Sequence, residues 1–173
     1  MSHVAESFED KLALGAEGEQ EVASGLLNRG VSVMPLYQFK NHDKAPVLLS
    51  GSGQIILPDL MCWNNGKSFF VESKLKRQWV EWNGNIETGV CQKLYPHYLK
   101  TKELTGVDVY LFFVHRGDYP GIYYQEISKL AGKERLWNGL SPSGKRCEKP
   151  LVLFDKKLLI DDWNKAEDTT PKK

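Results

Sequence analysis

The dipeptide Asn65-Gly66 lies between two short apolar runs, and this feature constrains the fold more than any other in the sequence. Asn-Gly is a strong signal for a two-residue hairpin turn, because both residues accept the positive φ angles that such a turn needs. The flanking runs, 55–63 and 68–74, are rich in the aliphatic and aromatic residues typical of strands. The sequence therefore predicts an antiparallel hairpin near the middle of the chain.

Two acids fall inside the apolar part of this hairpin. If Asn65 and Gly66 form the turn, Asp59 lies opposite Glu72. Directly opposed residues share a face of the sheet, with Cβ atoms about 4.5–5.5 Å apart, so two like charges there are destabilising. A divalent cation would relieve the repulsion, since carboxylate oxygens suit Mg²⁺ or Mn²⁺. The alternative is a surface-facing acid pair balanced by Lys74, which follows on the same face; the apolar residues around both acids favour the cation.

An amphipathic helix is predicted before the hairpin, ending near Gly30, because apolar residues recur there at steps of three and four. Its apolar stripe consists of Leu12, Ala16, Val22, Ala23, Leu26 and Leu27. Glu19 falls on this stripe, whereas Glu17 and Glu21 do not. We therefore expect the side chain of Glu19 to point toward the sheet.

The rest of the chain alternates strand and helix patterns. We predict a first strand at 31–39, a loop at 40–53 with a flexible turn at 50–53, an irregular stretch after Lys74, a helix at 90–106, a buried strand at 107–115, a strand running into a helical turn at 121–132, and a late strand at 151–160.

Length and composition limit the class of protein. A chain of 173 residues is predicted to form one domain, and 41% hydrophobic with 26% charged residues is ordinary for a soluble protein. No run approaches the roughly 18 apolar residues of a membrane span, and the acidic N-terminus lacks the basic start of a signal peptide, which predicts a cytoplasmic protein without membrane contact. Three cysteines without C-x-x-C spacing indicate neither a disulfide framework nor a metal sensor built on cysteine and histidine.

Charge is segregated along the chain although the net charge is only +1. Residues 5–24 carry six acids and one lysine, whereas residues 74–102 carry six bases and two acids. A locally basic surface suits a polyanion, although solvated faces often have this pattern as well. Candidates for contacts with nucleic acid are Lys76, Arg77, Trp79, Trp82 and Lys93. The alternative for the two tryptophans is that one or both cap the core.

The hairpin also carries a recognisable pattern. Pro58-Asp59, twelve intervening residues and then Glu72-Ser73-Lys74 resemble the signature of the PD-(D/E)XK nuclease superfamily, which includes Holliday junction resolvases and many restriction endonucleases. The order of elements around the hairpin, with a helix before it and a helix and strand after it, is similar to the core of that fold.

The resemblance implies an α/β fold with a restriction endonuclease-like αβββαβ core, in which helices flank a central mixed sheet. This core would cover about residues 5–115. Residues 116–165 would be a C-terminal elaboration of the same domain, and 166–173 a disordered tail.

In such a nuclease, Asp59 and Glu72 would ligate Mg²⁺ or Mn²⁺, and the carbonyl oxygen of Ser73 would supply another ligand. A glutamate of the first helix often completes the site; Glu19 is our candidate, with Glu17 and Glu21 as second choices. Lys74 would position or activate the attacking water.

A fifth catalytic candidate follows from the same resemblance. Gln92, in the predicted helix after the motif, resembles a glutamine that some recombination-type nucleases place beside the metal. The implied activity is metal-dependent endonuclease cleavage of DNA, structured or branched, in recombination, repair or restriction. Two alternatives stay open: a non-catalytic nucleic-acid-binding module on a nuclease scaffold, and a homodimer acting on two-fold-symmetric DNA.

Overall fold

The hairpin at Asn65-Gly66 is present in the computed structural model, which describes residues 8–36, 45–140, 144 and 149–163, with side chains from Ala16 onward. Both turn residues have positive φ, 50° and 76°. The predicted tail at 166–173 and the first part of the predicted loop lie outside the described residues. None of the helices in the described part of the chain is long and apolar enough to span a membrane.

Three helices and eleven strands are present in the described part of the chain. The helices are α1 (Phe8–Asn28), α2 (Tyr95–Thr105) and α3 (Ile127–Leu130), with a 3₁₀ turn at Lys156–Leu158. The strands are β1 (Ser32–Pro35), β2 (Val47–Ser50), β3 (Gly53–Ile56), β4 (Leu60–Asn64), β5 (Lys67–Lys76), β6 (Val80–Trp82), β7 (Asn85–Cys91), β8 (Asp108–His115), β9 (Gly121–Glu126), β10 (Arg135–Trp137) and β11 (Leu151–Asp155).

The main sheet has the order β1-β4-β5-β8-β9. The β4–β5 register runs from Asn64 paired with Lys67 to Leu60 paired with Val71, as the turn predicts. Strand β8 then pairs with β5 in parallel, after the crossover through α2. The elements α1, β1, β4, β5, α2 and β8 follow the predicted αβββαβ order, and β5 lies in the middle of the sheet.

Apolar residues cover both faces of this sheet. Helix α1 packs on one face through Val22, Ala23 and Leu26, against residues that include Val71 and Val114 of the strands. The other face packs against α2, α3, β7 and β11. Because both faces of β5 are covered, polar side chains on this strand are held in fixed surroundings.

A second sheet, with the order β10-β11-β7-β6, lies outside the sequence-based prediction. The stretch after Lys74 was expected to be irregular, but it contains β6 and β7. Their turn at Asn83-Gly84 has positive φ at both residues, 49° and 77°. The predicted loop at 40–53 was also wrong where it is described, because β2 and β3 form a hairpin there.

Three further predictions need correction at element ends. The run 55–63 is interrupted between β3 and β4, since Pro58 has no N–H to donate to a sheet. The helix predicted at 90–106 begins only at Tyr95, because β7 extends through Cys91 and Pro96 occupies the first turn of the helix. The late strand ends at Asp155 rather than 160, where the 3₁₀ turn begins.

Candidate active site

A pocket of about 200 Å³ lies between α1, the hairpin strands and α2. It is lined by Glu19, Ala45, Pro46, Ile56, Leu57, Asp59, Glu72, Lys74, Leu94 and Tyr98. Four of the residues singled out from the sequence therefore meet in one place: three acids and a lysine, enclosed by apolar side chains. Ser73 lies between two of them on β5 and is itself 4% exposed.

Asp59 lies in the short segment between β3 and β4, where hydrogen bonds from two backbone N–H groups fix its position. Its backbone oxygen accepts a hydrogen bond from the N–H of Leu36 at 3.0 Å. Its Oδ2 atom accepts one from the N–H of Ser73 at 2.9 Å, so the carboxylate is fastened to β5 although Asp59 precedes β4. Only 8% of the residue is exposed.

Glu72 is more deeply buried, with 2% of the residue exposed. Burial, and next the charge of Asp59, raise the pKa of its carboxyl group to about 8, against the opposing effects of Lys74 and of the Tyr98 hydroxyl. The two acids are thus close enough to repel each other in a region poor in water. A carboxyl pair of this kind favours either a proton or a cation between its members.

Lys74 supplies one positive charge at this place. Its ammonium group forms an ion pair with Glu72 and is 30% exposed. Burial alone would lower the pKa of Lys74, but the charges of Glu72 and Asp59, and to a smaller extent Glu19, raise it above its usual value. Lys74 therefore stays protonated in this structure and faces both the acids and the pocket opening.

The helix phase inferred from the sequence is confirmed. Glu19 is 7% exposed and lines the pocket, whereas Glu17 and Glu21 lie outside it and form ion pairs with Arg116. One member of the predicted stripe differs: Leu27 is 57% exposed, at the end of α1.

Tyr98 lines the pocket and was not among the site candidates predicted from the sequence. It is 1% exposed, and its hydroxyl donates a hydrogen bond to the carboxylate of Glu72. Burial, followed by the charges of Glu72 and Asp59, raises its pKa well above the usual value. The available signal was a tyrosine on the buried face of α2, since a buried tyrosine normally needs a partner for its hydroxyl.

Gln92 is not brought to this pocket. It lies in the turn between β7 and α2 with an exposed side chain, and its N–H donates to the carbonyl oxygen of Pro150 at 2.9 Å. Its assignment to a helix was wrong for the reason given above, the extension of β7. Lys93 is exposed in the same turn.

The other candidates for nucleic-acid contact divide between core and surface. Trp79 is 8% exposed, stacks on His115 with ring centroids 3.6 Å apart, and donates from Nε1 to the oxygen of Asp118, so it belongs to the core. Trp82 is 50% exposed beneath the guanidinium of Arg135. Lys76 is half-buried at the end of β5, and Arg77 follows it in an exposed position.

The acids suit a hard divalent cation. All the donors are oxygens, and the repulsion between Asp59 and Glu72 is the kind that a cation relieves. Within the described residues, no three His, Cys, Asp or Glu side chains are close enough to form a metal site by themselves.

No protein-family model and no curated protein sequence matches the chain. The Holliday junction resolvase Hjc of Archaeoglobus fulgidus, an archaeal hyperthermophile, superimposes with a TM-score of 0.53 and 12% identity, covering 88% of this chain and 99% of that one. The chain has an Hjc-like nuclease fold. D212, a nuclease from a fusselovirus, gives a TM-score of 0.45 and 10% identity over 93% of this chain and 91% of its own.

This likeness confirms the restriction endonuclease-like α/β class inferred from the sequence. At 12% identity it establishes the fold alone. The roles of the individual residues, and the single-domain organisation, stay predictions.

Proposed function

We propose that this protein is a magnesium-dependent endonuclease that hydrolyses phosphodiester bonds in DNA, with structured or branched DNA as its substrate. The observation that carries the proposal is the meeting of Asp59, Glu72 and Lys74 in one pocket, with both acids nearly inaccessible to water. Neighbouring acids are costly to bury, and functional sites are where perturbed groups of this kind concentrate. The Hjc-like fold supports a nuclease in particular.

Asp59 and Glu72 would hold the cation, with the Ser73 carbonyl as a further ligand and Glu19 at the pocket wall. When bound, such an ion supplies Lewis-acid stabilisation of the phosphate and a water of lowered pKa. Manganese has the same preference for oxygen and is the natural substitute.

Lys74 serves the chemical step. Its ammonium group, 30% exposed, lies beside Glu72 where it can donate to a water or to a phosphate oxygen. A protonated amine at this position orients the nucleophile and offsets negative charge that develops on the phosphoryl group. Arg77 and Lys93, exposed and outside the pocket, would instead bind the DNA backbone.

The test is cleavage of supercoiled, linear, single-stranded and branched DNA by the purified protein, with and without Mg²⁺. We expect Mg²⁺-dependent cleavage that Asp59→Asn abolishes. DNA binding without cleavage of any of these substrates would favour the non-catalytic alternative.

A second arm separates chemistry from binding. Lys74→Ala should lower turnover by about 10² with little change in DNA affinity, since it removes a group that acts on the water. Arg77→Ala and Lys93→Ala should weaken binding and reduce the salt dependence of affinity by about one unit of slope per phosphate contact. Equal loss of binding in Lys74→Ala and Arg77→Ala would contradict this assignment of roles.

A further inference from the structure

Lys156 lies in a cluster of aromatic rings that the proposed chemistry does not use. Its ammonium group is 5.1 Å from the ring centroid of Tyr123, 5.3 Å from that of Tyr119 and 6.0 Å from that of Trp79. Such distances place the cation over the electron-rich faces of the rings. We call Tyr119, Tyr123, Lys156 and the adjacent Lys157 the Lys156 surface.

The positive charge of this surface is available to a ligand. Lys156 forms no ion pair within the part of the chain that the structure describes, and Lys157 is exposed. Burial, and to a smaller extent the charges of Lys76 and Lys156, lower the pKa of His115 to about 3. Lys76 therefore lies near the Lys156 surface. Two lysines therefore act on one buried ring beside the surface.

Tyr119 presents its ring in an unusual way. The residue is 55% exposed and has φ of 50°, immediately before Pro120. A bulky residue in the left-handed region is strained, and strained backbone is concentrated at functional sites. The hydroxyl of Tyr123 donates to the oxygen of Tyr119 at 3.1 Å and helps to hold this turn.

Two acids next to the surface can accept hydrogen bonds from a ligand. A pocket of about 330 Å³ next to it is lined by Gly84, Ile86, Tyr123, Asp155, Lys156, Lys157, Leu159 and Asp161. Two acids would repel a ligand that is only a phosphate. They suit a ligand that also has N–H donors, as the exposed edge of every unpaired base does. Together these groups fit a nucleotide: the rings can stack on its base, the lysines can bind its phosphate, and the acids can accept hydrogen bonds from the edge of the base.

The position of the surface relates it to the candidate active site. Lys76 is four residues beyond Glu72 on β5 and shares its face, a separation of about 13 Å at the rise of a strand. This length corresponds to about four nucleotides of duplex rise. Unpaired bases stack on exposed aromatic rings, whereas bases inside a duplex offer no free face.

We propose that the Lys156 surface binds an unpaired nucleotide of the DNA substrate, so that DNA with a single-stranded segment a few nucleotides from the cut is preferred over continuous duplex. This inference rests on the proposed function and specifies its substrate class. Tyr119 stacks on the base, and Lys156 and Lys157 bind the adjoining phosphates.

The experiment measures binding in EDTA, where metal-dependent cleavage is absent, by fluorescence anisotropy. The probes are fluorescein-labelled oligo(dT), a blunt duplex of the same length, and a fork with two oligo(dT) arms. Tyr119→Gly removes the ring and relieves the strain at φ 50°. Asn65→Gly also places a glycine at φ 50°, at the opposite end of β5, and is the matched control for the change of backbone residue. Lys156→Gln is matched by Lys67→Gln, also at that far end.

We expect Tyr119→Gly and Lys156→Gln each to weaken binding of oligo(dT) and of the fork about tenfold, with less than about twofold change on the duplex. Tyr119→Phe, Asn65→Gly and Lys67→Gln should bind as the unchanged protein does. Equal loss on duplex and oligo(dT), or wild-type binding of oligo(dT) by Tyr119→Gly, would overturn the inference.

Cleavage in Mg²⁺ keeps the two proposals apart. If the protein cleaves DNA but Tyr119→Gly binds oligo(dT) normally, the Lys156 surface is refuted and the nuclease stands. If the ring-dependent binding is found but no DNA is cleaved, the surface stands and the nuclease is refuted.

Discussion

Two glutamates, Glu87 and Glu72, are buried in neighbouring sheets, and each lies beside one basic side chain. They differ in whether a second acid shares that basic side chain. Glu87, in β7 and 5% exposed, faces Arg135, whose Nε donates to both carboxylate oxygens at 2.9 and 3.1 Å. Glu72, in β5 and 2% exposed, has Lys74 as its cation but shares the region with Asp59.

The difference is that Glu87 has a counterion of its own, whereas Glu72 shares its counterion with a second acid. A carboxylate with its own guanidinium is balanced, because bidentate hydrogen bonds satisfy both charges. At Glu72 the second acid adds a negative charge beyond the one that Lys74 neutralises. Burial, and next the charge of Asp59, raise the pKa of Glu72 to about 8. Such an imbalance does not stabilise the fold, and it supports the cation proposed for this site.

The largest expected effect is on cleavage. Asp59→Asn or Glu72→Gln should reduce Mg²⁺-dependent DNA cleavage by about 10³ or more, since each removes a ligand charge and a bound ion contributes several kcal/mol to such reactions. Glu87→Gln, assayed per folded molecule, should leave the rate unchanged. Comparable rates in all three variants would show that the imbalance at Glu72 has no catalytic meaning.

Stability should respond in the opposite sense. Glu87→Gln breaks a buried pair and should lower the free energy of unfolding by about 2–3 kcal/mol, less than for a fully buried pair because the Arg135 side chain is 32% exposed. Glu72→Gln without metal should raise the melting temperature, because it removes the repulsion with Asp59. Chemical denaturation in EDTA measures both, and a large loss in Glu72→Gln would make that acid structural.

A smaller effect should follow from the hydroxyl of Tyr98, which orients Glu72. Tyr98→Phe should weaken Mn²⁺ binding, measured by calorimetry, by about tenfold, as for other partners of metal ligands. Tyr95→Phe is the matched control in the same helix, because its buried hydroxyl has no hydrogen-bond partner among the described residues. Equal effects in the two variants would mean that the hydroxyl of Tyr98 does not act through Glu72.

The smallest expected effect is on the pH dependence of stability, through His115, whose ring is hydrogen-bonded to Thr88 of the second sheet. His115 is neutral in the fold, with its pKa lowered from 6.5 to about 3, and Nε2 lies 3.0 Å from the hydroxyl of Thr88. Its stabilising contribution is complete above pH 6.5 and is lost as the pH falls toward 3, because protons then favour the unfolded chain. His115→Gln should make the decrease in melting temperature between neutral pH and pH 4 smaller by roughly a few degrees. An unchanged decrease would assign acid sensitivity to the carboxylates alone.

Local patterns were sufficient to predict the hairpin and the phase of α1. The turn type at Asn65-Gly66 fixed which residues oppose each other, and the helical period distinguished Glu19 from its neighbours. Both depend on contacts between residues that are close in the chain.

Longer-range pairing could not be read in the same way. Strand β7 is held by β11, with Val90 opposite Val152 and a separation of about sixty residues, and nothing near Val90 specifies that partner. The start of the helix expected at Val90 was therefore wrong, and so was the placement of Gln92 in that helix. The hydroxyl of Tyr98 was missed for a related reason, because its partner Glu72 lies in another element.

The attachment of Asp59 to β5 gives the two halves of the candidate site different opening behaviour. Glu72, Ser73 and Lys74 lie on β5 beyond its last pair with β4, Leu60 with Val71, and pair with β8 on the other side. Amides that bond within such a sheet exchange with deuterium mainly through global unfolding. Asp59 lies between strands, and the hydrogen bond from the Ser73 N–H, 2.9 Å long, fastens its carboxylate to β5. The exchange rate of the Ser73 amide therefore reports how often the acid pair separates, and a cation that joins the pair should slow that one amide more than its neighbours.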